Sequence, residues 1–261
     1  MKKKVVLFDM DGTLTPARKK ISPDMISKVR ELSNFTEIGI VTGSGLGYLS
    51  EQCSEMWDRF DGCDPRKITL LPCNGTNMLR WKSPGFQVQN SVSMKEEIGE
   101  VLYSRLIETL LSVQSYFVRY TNPVCSMTGT FISYRGSLLN YCPIGRDSKD
   151  EERNSFVDVD KKNLLRSKLI DRIKKEFPSS SSILEMRLGG ETSIDIFPVG
   201  WDKSYALKYF EGYDAYFVGD RCFVGGNDFD IYKEMIPGNG FKTSGPDETM
   251  VIISKLINEL Q

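Results

Sequence analysis

One short stretch constrains this chain more than any other. Val5-Val6-Leu7-Phe8 is an unbroken apolar run, and it stops abruptly at Asp9-Met10-Asp11-Gly12-Thr13. A run so short, with no polar alternation, suits a strand buried on both faces, as in parallel sheets. Such sheets need crossover helices. Ser22-Pro23-Asp24 reads as a helix start, with Ser22 as N-cap and proline at the first helical position. Met25, Ile26, Val29 and Leu32 then share one helical face. Ile38, Ile40 and Val41 make a second strand ending at Thr42-Gly43-Ser44-Gly45, and Ile68 to Leu71 a third ending at Pro72-Cys73-Asn74-Gly75. This rhythm predicts an α/β fold with a doubly wound, Rossmann-like parallel sheet.

The rhythm is then interrupted. Residues 80–90 are polar and turn-rich and read as a linker. A long helix is expected next, with Ile98, Val101, Leu102, Leu106, Leu110 and Val113 on one stripe. Residues 128–134 and 138–142 alternate around Arg135-Gly136-Ser137 and read as a hairpin. A helix carrying Leu165, Leu169, Ile173 and Phe177 follows, then strands over 183–188 and 192–197. Hairpin strands covered by helices predict an α+β domain inserted into the first. The α/β pattern resumes with a helix over 204–210, a strand at Tyr216-Phe217-Val218 ending in Gly219-Asp220, and a last helix from Pro246. The expected division is a core of residues 1–86 and 200–261 and an inserted domain of 87–199, in keeping with a chain of 261 residues.

Composition removes whole classes of chemistry. The chain has no histidine, which excludes Ser-His-Asp and Cys-His catalysis and His-ligated zinc. Acid–base work falls to carboxylates, lysine, tyrosine or cysteine, and any metal is a hard cation held by oxygen. A formal net charge of −1 provides no global field for nucleic acid or an anionic membrane, so neither is an expected partner. The six cysteines (Cys53, Cys63, Cys73, Cys125, Cys142 and Cys222) form no CxxC pair and read as reduced thiols. The first apolar run is too short for a secretory leader, and no stretch reaches a membrane span, so a cytoplasmic protein is expected.

The chemistry gathers where strands end. Ligands of open α/β sheets bind at the carboxyl ends of strands. There, Asp9 and Asp11 can divide labour, one attacking phosphorus and the other exchanging a proton with the substrate oxygen. Gly12 lets the chain turn sharply away, and the Thr13 hydroxyl is within reach of Asp11. An acidic turn or helix cap is the plainer alternative. A carboxylate attacking a phosphate needs its charge offset, and further carboxylates for Mg²⁺ appear at Asp220 and, after Gly225-Gly226-Asn227, at Asp228. Thr42 and Ser44 offer hydroxyls and N–H groups to phosphoryl oxygens, and either can be the one that does so. Lys203 can offset charge on Asp9. In the inserted domain Arg135, Arg146 and Arg153 suit a forked phosphate site, unless they pair with Asp150, Glu151 and Glu152.

Taken in order, these four groups resemble the motifs of the haloacid dehalogenase superfamily. The resemblance implies Asp9 as a phosphoaspartyl nucleophile and Asp11 as acid/base. It also implies Mg²⁺ held by Asp9, the Asp11 main-chain carbonyl and Asp220, with Asp228 close by. Longer stretches are similar to the eukaryotic-type phosphomannomutases: residues 8–15 with Arg18, Gly-Thr-Phe-Ile at 129–132, Leu-Asn-x-x-Pro-Ile-Gly-Arg at 139–146, and Glu-Glu-Arg at 151–153. Gly189-Gly190, residues 193–198, Gly200-Trp201-Asp202-Lys203 and Gly225-Gly226-Asn227-Asp228 belong to the same resemblance. It implies a haloacid dehalogenase core with an inserted cap that confers specificity. Sugar and phosphate contacts are implied for Arg18, Arg135, Arg146, Arg153, Ser193 and Asp195. The implied reaction interconverts mannose 6-phosphate and mannose 1-phosphate through a hexose 1,6-bisphosphate, which also serves as activator, and supplies GDP-mannose synthesis. A cytosolic homodimer through the cap is implied too.

The chain departs from that family at residues 41–45, Val-Thr-Gly-Ser-Gly, where relatives more often carry Gly-Gly-Ser-Asp. It departs again at 231–242, where relatives hold a second, peripheral cation near the positions of Tyr232 and Glu234. Two rivals are a sugar-phosphate phosphatase on the same core and a non-catalytic binding protein. Clustered carboxylates are costly and serve no binding module, which argues against the second.

Overall fold

The structure, a computed structural model, describes residues 2–120 and 127–261; Cys125 lies outside them. The chain forms two compact units, Met1–Ser91 with Trp201–Gln261, and Val92–Gly200.

In the first unit, described strands β1 (Lys4–Phe8), β2 (Glu37–Val41), β3 (Ile68–Leu71), β4 (Asn77–Lys82), β5 (Gly85–Ser91), β10 (Asp214–Gly219) and β11 (Gly240–Lys242) form one sheet. Its order is β11-β10-β1-β2-β3-β4-β5. Five of these strands run parallel, and β4 and β5 are antiparallel additions. β1 lies between β10 and β2, so its carboxyl end meets strand ends from both halves of the chain. Strand alternation explains its unbroken apolar run. Val6 and Phe8 join a cluster with Met25, Val29, Ile253 and Leu256, while Val5 and Leu7 face Ala206, Phe210 and Ile231 on the other side. The helix Pro23–Leu32 starts as expected, with the Ser22 hydroxyl accepting from the Met25 N–H at 3.2 Å.

Two expectations for this unit fail. Residues 80–90 are no linker: β4 and β5 form a hairpin at the sheet edge, with Trp81 packed edge-on against Phe86. Their polar residues face solvent, and the Pro84-Gly85 turn joins the strands instead of separating domains. Lys203–Phe210 is a run of 3-10 turns and not an α-helix.

The second unit carries β6 (Ile132–Tyr134), β7 (Leu139–Tyr141), β8 (Leu184–Gly189) and β9 (Ser193–Pro198), all antiparallel, in the order β6-β7-β9-β8. The hairpin over 128–142 is present but its strands are shorter than expected. The long helix begins later than its apolar pattern suggests. Gly99, at φ 78°, separates Met94–Ile98 from Glu100–Tyr120. The buried stripe is therefore Leu106, Leu110, Val113 and Phe117, while Val101 is 83% exposed. Asp150–Asn163 forms a helix that its weakly amphipathic sequence does not announce. Among the described residues, no helix is long and apolar enough to cross a membrane.

Candidate active site

The turn after β1 brings the chemistry together. The Asp9 N–H donates to Val218 O at 2.9 Å, which ties the end of β1 to the end of β10 and so to Gly219-Asp220. Gly12 sits at φ 86°, and a Cβ there would lie 2.6 Å from Asp220 Oδ2. Only glycine permits both that backbone and that approach. Carboxylate oxygens of Asp9, Asp220 and Asp228 all lie within 4.8 Å of one another.

Lys203 is the counter-charge. Its buried ammonium donates to Asp9 Oδ1 and, at 2.5 Å, to Asp228 Oδ1. Burial disfavours its charge, yet the carboxylates of Asp228 and Asp9 outweigh that and hold its pKa above the ordinary lysine range. Burial, together with repulsion from Asp228, raises the Asp9 carboxyl well above the usual carboxylate range, against the pull of Lys203. Asp220 is raised by burial and then by Asp228.

Three carboxylates against one buried ammonium leave negative charge uncompensated, and the oxygens show where a cation fits. Asp228 is fully engaged, with Lys203 on Oδ1 and the Arg221 N–H on Oδ2 at 3.0 Å. Asp220 Oδ1 is buried and has no hydrogen-bond partner, and Asp9 Oδ2 has only the Thr13 hydroxyl at 3.4 Å. A buried carboxylate oxygen left unpaired beside a second open one suits an oxygen-coordinated divalent ion such as Mg²⁺. The Thr13 hydroxyl thus serves Asp9 and not Asp11, correcting the sequence expectation. Asp11 Oδ1 accepts instead from the Arg18 N–H at 3.0 Å and from Gln52 Nε2 at 3.3 Å.

Thr42 and Ser44 follow β2 beside this cluster's sheet edge. Thr42 is buried, and its hydroxyl accepts the Ser44 N–H at 3.1 Å. Ser44 is half-buried. Cys73 and Asn74 donate backbone N–H groups to Ser44 O and Thr42 O, at 2.9 and 2.8 Å, and so fix this loop against the end of β3.

The second unit gathers a separate group of polar side chains. Asn140 and Asp195 oppose each other on β7 and β9. Asn140 Nδ2 donates to Asp195 Oδ1 at 2.6 Å and to Ser193 Oγ at 2.9 Å, and its Oδ1 accepts from Arg146 Nη1 at 2.8 Å. Three of the expected substrate residues therefore meet on one asparagine. A Cβ on Gly189 would lie 2.6 Å from Asp195 Oδ2, so the glycine keeps that carboxylate's place open. Arg135 lies in the β6–β7 turn, its N–H on Leu138 O at 2.9 Å, and Arg153 in the first turns of the helix Asp150–Asn163. Glu152 caps that helix through the Lys149 N–H at 2.8 Å. Arg18 belongs to the first unit, apart from these arginines in sequence.

Sequence reasoning missed Gln52 and Asn140 as parts of these clusters. A lone glutamine on an amphipathic helix carries no signal. Asn140 stood inside a motif, but only its position opposite Asp195 gives it a role.

Known proteins are similar to this chain in sequence and in fold. The sequence profile of the family described as eukaryotic phosphomannomutase matches residues 24–259. The Schizosaccharomyces pombe protein named phosphomannomutase is 36% identical over 264 residues, covering 98% of this chain and 95% of its own. The Arabidopsis thaliana protein of the same name is 35% identical, with 94% and 93% covered. Among solved structures, N-terminally truncated Plasmodium falciparum IMP-nucleotidase is similar at a TM-score of 0.63 and 16% identity, covering 100% of this chain and 71% of that one. A trehalose-6-phosphate phosphatase related protein is similar at 0.56 and 16%, with 98% of each chain covered. Identities that low speak for the fold alone, an α/β core with a parallel-rich sheet and an inserted domain. The profile match and the near full-length relatives decide the rest: this chain belongs to the eukaryotic phosphomannomutase family and is an isomerase.

Proposed function

We propose that the chain interconverts mannose 6-phosphate and mannose 1-phosphate through an aspartyl-phosphate on Asp9 and a hexose 1,6-bisphosphate, supplying GDP-mannose synthesis from the cytoplasm. The observation that carries this reading is the buried Asp9–Asp220–Asp228–Lys203 cluster in a chain of this family. Asp9, Asp220 and the Asp11 carbonyl would hold Mg²⁺, which would supply electrostatic stabilisation of the transferred phosphoryl group.

Asp9 Oδ2, which is not engaged by Lys203, is the oxygen available to attack phosphorus. Lys203 keeps the other oxygen in place and offsets charge as the phosphoryl oxygens approach. Asp11 takes the proton from the accepting sugar hydroxyl and later returns one to the departing sugar oxygen. Thr42 or Ser44 donates to the transferred group. Arg18, Arg135, Arg146 and Arg153, with Ser193 and Asp195, are assigned to the sugar and its other phosphate. Support for Arg146, Ser193 and Asp195 is their joint attachment to Asn140. Charge-assisted guanidinium contacts suit a phosphate that must be accepted from either end of the sugar. A homodimer through the second unit, with hexose 1,6-bisphosphate as activator, completes the reading.

The test is an assay of mannose 1-phosphate with Mg²⁺ and a trace of hexose 1,6-bisphosphate. Isomeric product without free phosphate is expected. Stoichiometric release of inorganic phosphate would make the protein a phosphatase instead.

A further inference from the structure

We infer that Gln52 is a positioning residue for proton transfer, which fixes the Asp11 carboxyl by one oxygen and leaves the other to exchange the proton. This rests on the reading of Asp11 as acid/base and goes further, since it names the atom that reacts and the side chain that selects it.

Gln52 lies on the helix Leu46–Cys53 and is 3% exposed. A buried primary amide must place both its ends, because each unpaired group costs on the order of 1–3 kcal/mol. Its backbone is pinned, with Gln52 O accepting from the Ile21 N–H at 2.9 Å. Its Oε1 accepts from the Thr15 hydroxyl at 2.8 Å. Its Nε2 donates to Asp11 Oδ1 at 3.3 Å. Turned over, the amide would set Oε1 against a carboxylate oxygen, so Nε2 stays on Asp11, while the Thr15 hydroxyl, shared with Met10 O at 3.3 Å, holds Oε1. Thr15 and Asp11 thus hold the amide by its two ends, and the amide, anchored through its backbone and Thr15, steadies Asp11.

The second anchor is the Arg18 N–H, 3.0 Å from the same Oδ1. Arg18 reaches it from a left-handed backbone, φ 62°, a conformation that costs a non-glycine residue on the order of 1–2 kcal/mol. Two N–H donors thus converge on Oδ1, and none of the described hydrogen bonds reaches Oδ2. An oxygen holding two donors is a poor seat for a proton, because an O–H there would face N–H hydrogens. The proton is carried on Oδ2. In phosphoryl transfer to Asp9, a new O–P bond forms at the Asp9 carboxylate and the sugar O–P bond breaks. Its electron pair goes to the sugar oxygen, which takes the proton from Asp11 Oδ2 and leaves Asp11 ionised. The reverse transfer returns that proton. Without the amide, the carboxyl can rotate about its Cβ–Cγ bond, and the protonated oxygen faces the leaving group for only part of the time.

A residue that acts on protonation betrays itself by dependence on the leaving group. p-Nitrophenolate departs without a proton, whereas a sugar alkoxide does not. The measurement is the first-turnover rate of phosphoryl transfer from glucose 1,6-bisphosphate and from p-nitrophenyl phosphate, with the full chain and Mg²⁺. Their ratio is independent of how much of a variant is folded. Gln52→Met, similar in volume but without donor or acceptor, should lower the ratio of sugar to ester rate by about tenfold, a part of the ~10²–10⁴ available to general acid catalysis. Asp11→Asn should lower it more. Equal loss on both substrates, or no loss, in Gln52→Met would overturn the role of Gln52. If the ratio also failed to move in Asp11→Asn, the acid/base reading itself would fall.

Discussion

Lys203 stands where a lysine is hardest to keep charged, in the interior of the first unit and wholly removed from solvent. It stays ionised because the carboxylates of Asp228 and Asp9 replace the hydration it has lost. Removing one partner of such a buried pair costs about 3–5 kcal/mol, since the others are left uncompensated. Lys203→Met should therefore destabilise the metal-free protein by roughly that amount, measured by denaturant unfolding, and should abolish turnover. Asp9→Asn should be inactive but more stable without metal, because it removes a charge that burial and Asp228 both oppose.

The same carboxylates predict how metal and pH interact. Asp9 and Asp220 bind protons more tightly in the folded chain than in the unfolded one, through burial and then through Asp228. As pH rises from the ordinary carboxylate range through their raised folded values, ionising them weakens the metal-free fold. Mg²⁺ binds the ionised form and offsets that loss. The Tm increment produced by Mg²⁺ should accordingly be larger at pH ~7.5 than at pH ~5.5. An increment that is flat across that range would contradict it. At the distal group, Arg146→Ala should raise KM for mannose 1-phosphate by about tenfold or more, the scale of one lost charge-assisted bond.

At the scale of elements, β1 and its turn act as one device. Apolar residues on both faces place the strand in the sheet's interior, and the turn that follows has room only for glycine at position 12. Gly12→Ala should displace Asp220 and lose most Mg²⁺ affinity, read by calorimetry, with a smaller loss of stability. Leu164 is a contrasting case. It joins the helices Asp150–Asn163 and Leu165–Glu176 from a left-handed backbone, φ 53°, and is 60% exposed. Leu164→Gly should stabilise the fold by about 0.5–1 kcal/mol, the relief of left-handed strain less the added freedom of the unfolded chain.

These elements differ in how plainly the sequence declares them. β1, β2 and β3, and the last three residues of β10, are buried on both faces, so each reads as a short apolar run ending at a polar or turn-forming residue, and Asp9 and Asp220 follow two of them directly. β5 is an edge strand and β4 its inner neighbour, both only partly buried, and their polar residues make them look like a linker. The helix from Glu100 shares its apolar spacing with residues before it, and only Gly99 at positive φ sets its start. The site divides in the same way. Aspartates in a strand-end turn announce themselves, whereas Gln52 gains its meaning from Thr15 and Asp11, which lie 37 and 41 residues away. Which hydroxyl faces which carboxylate depends on a turn's dihedral angles, and so Thr13 was assigned the wrong partner.

At the scale of the whole molecule, the chain departs from its first unit after Ser91 and returns at Trp201. The intervening segment has its own sheet and its own buried residues, including Leu106, Leu110, Tyr141, Phe156 and Ile196. Residues 92–200 expressed alone should melt cooperatively, with a near-ultraviolet circular dichroism signal that vanishes at the transition. A non-cooperative melt would show that the segment depends on the rest of the chain.

The position of β1 between β2 and β10 has a consequence during synthesis. Asp9 leaves the ribosome before the insertion, but its neighbours Lys203, Asp220 and Asp228 emerge only after the whole insertion has been made. Until then β1 has a partner on one side alone, and Asp9 lacks both ammonium and fellow carboxylates. A chain made only as far as the insertion thus cannot assemble the carboxylate cluster, and the segment after it completes the site.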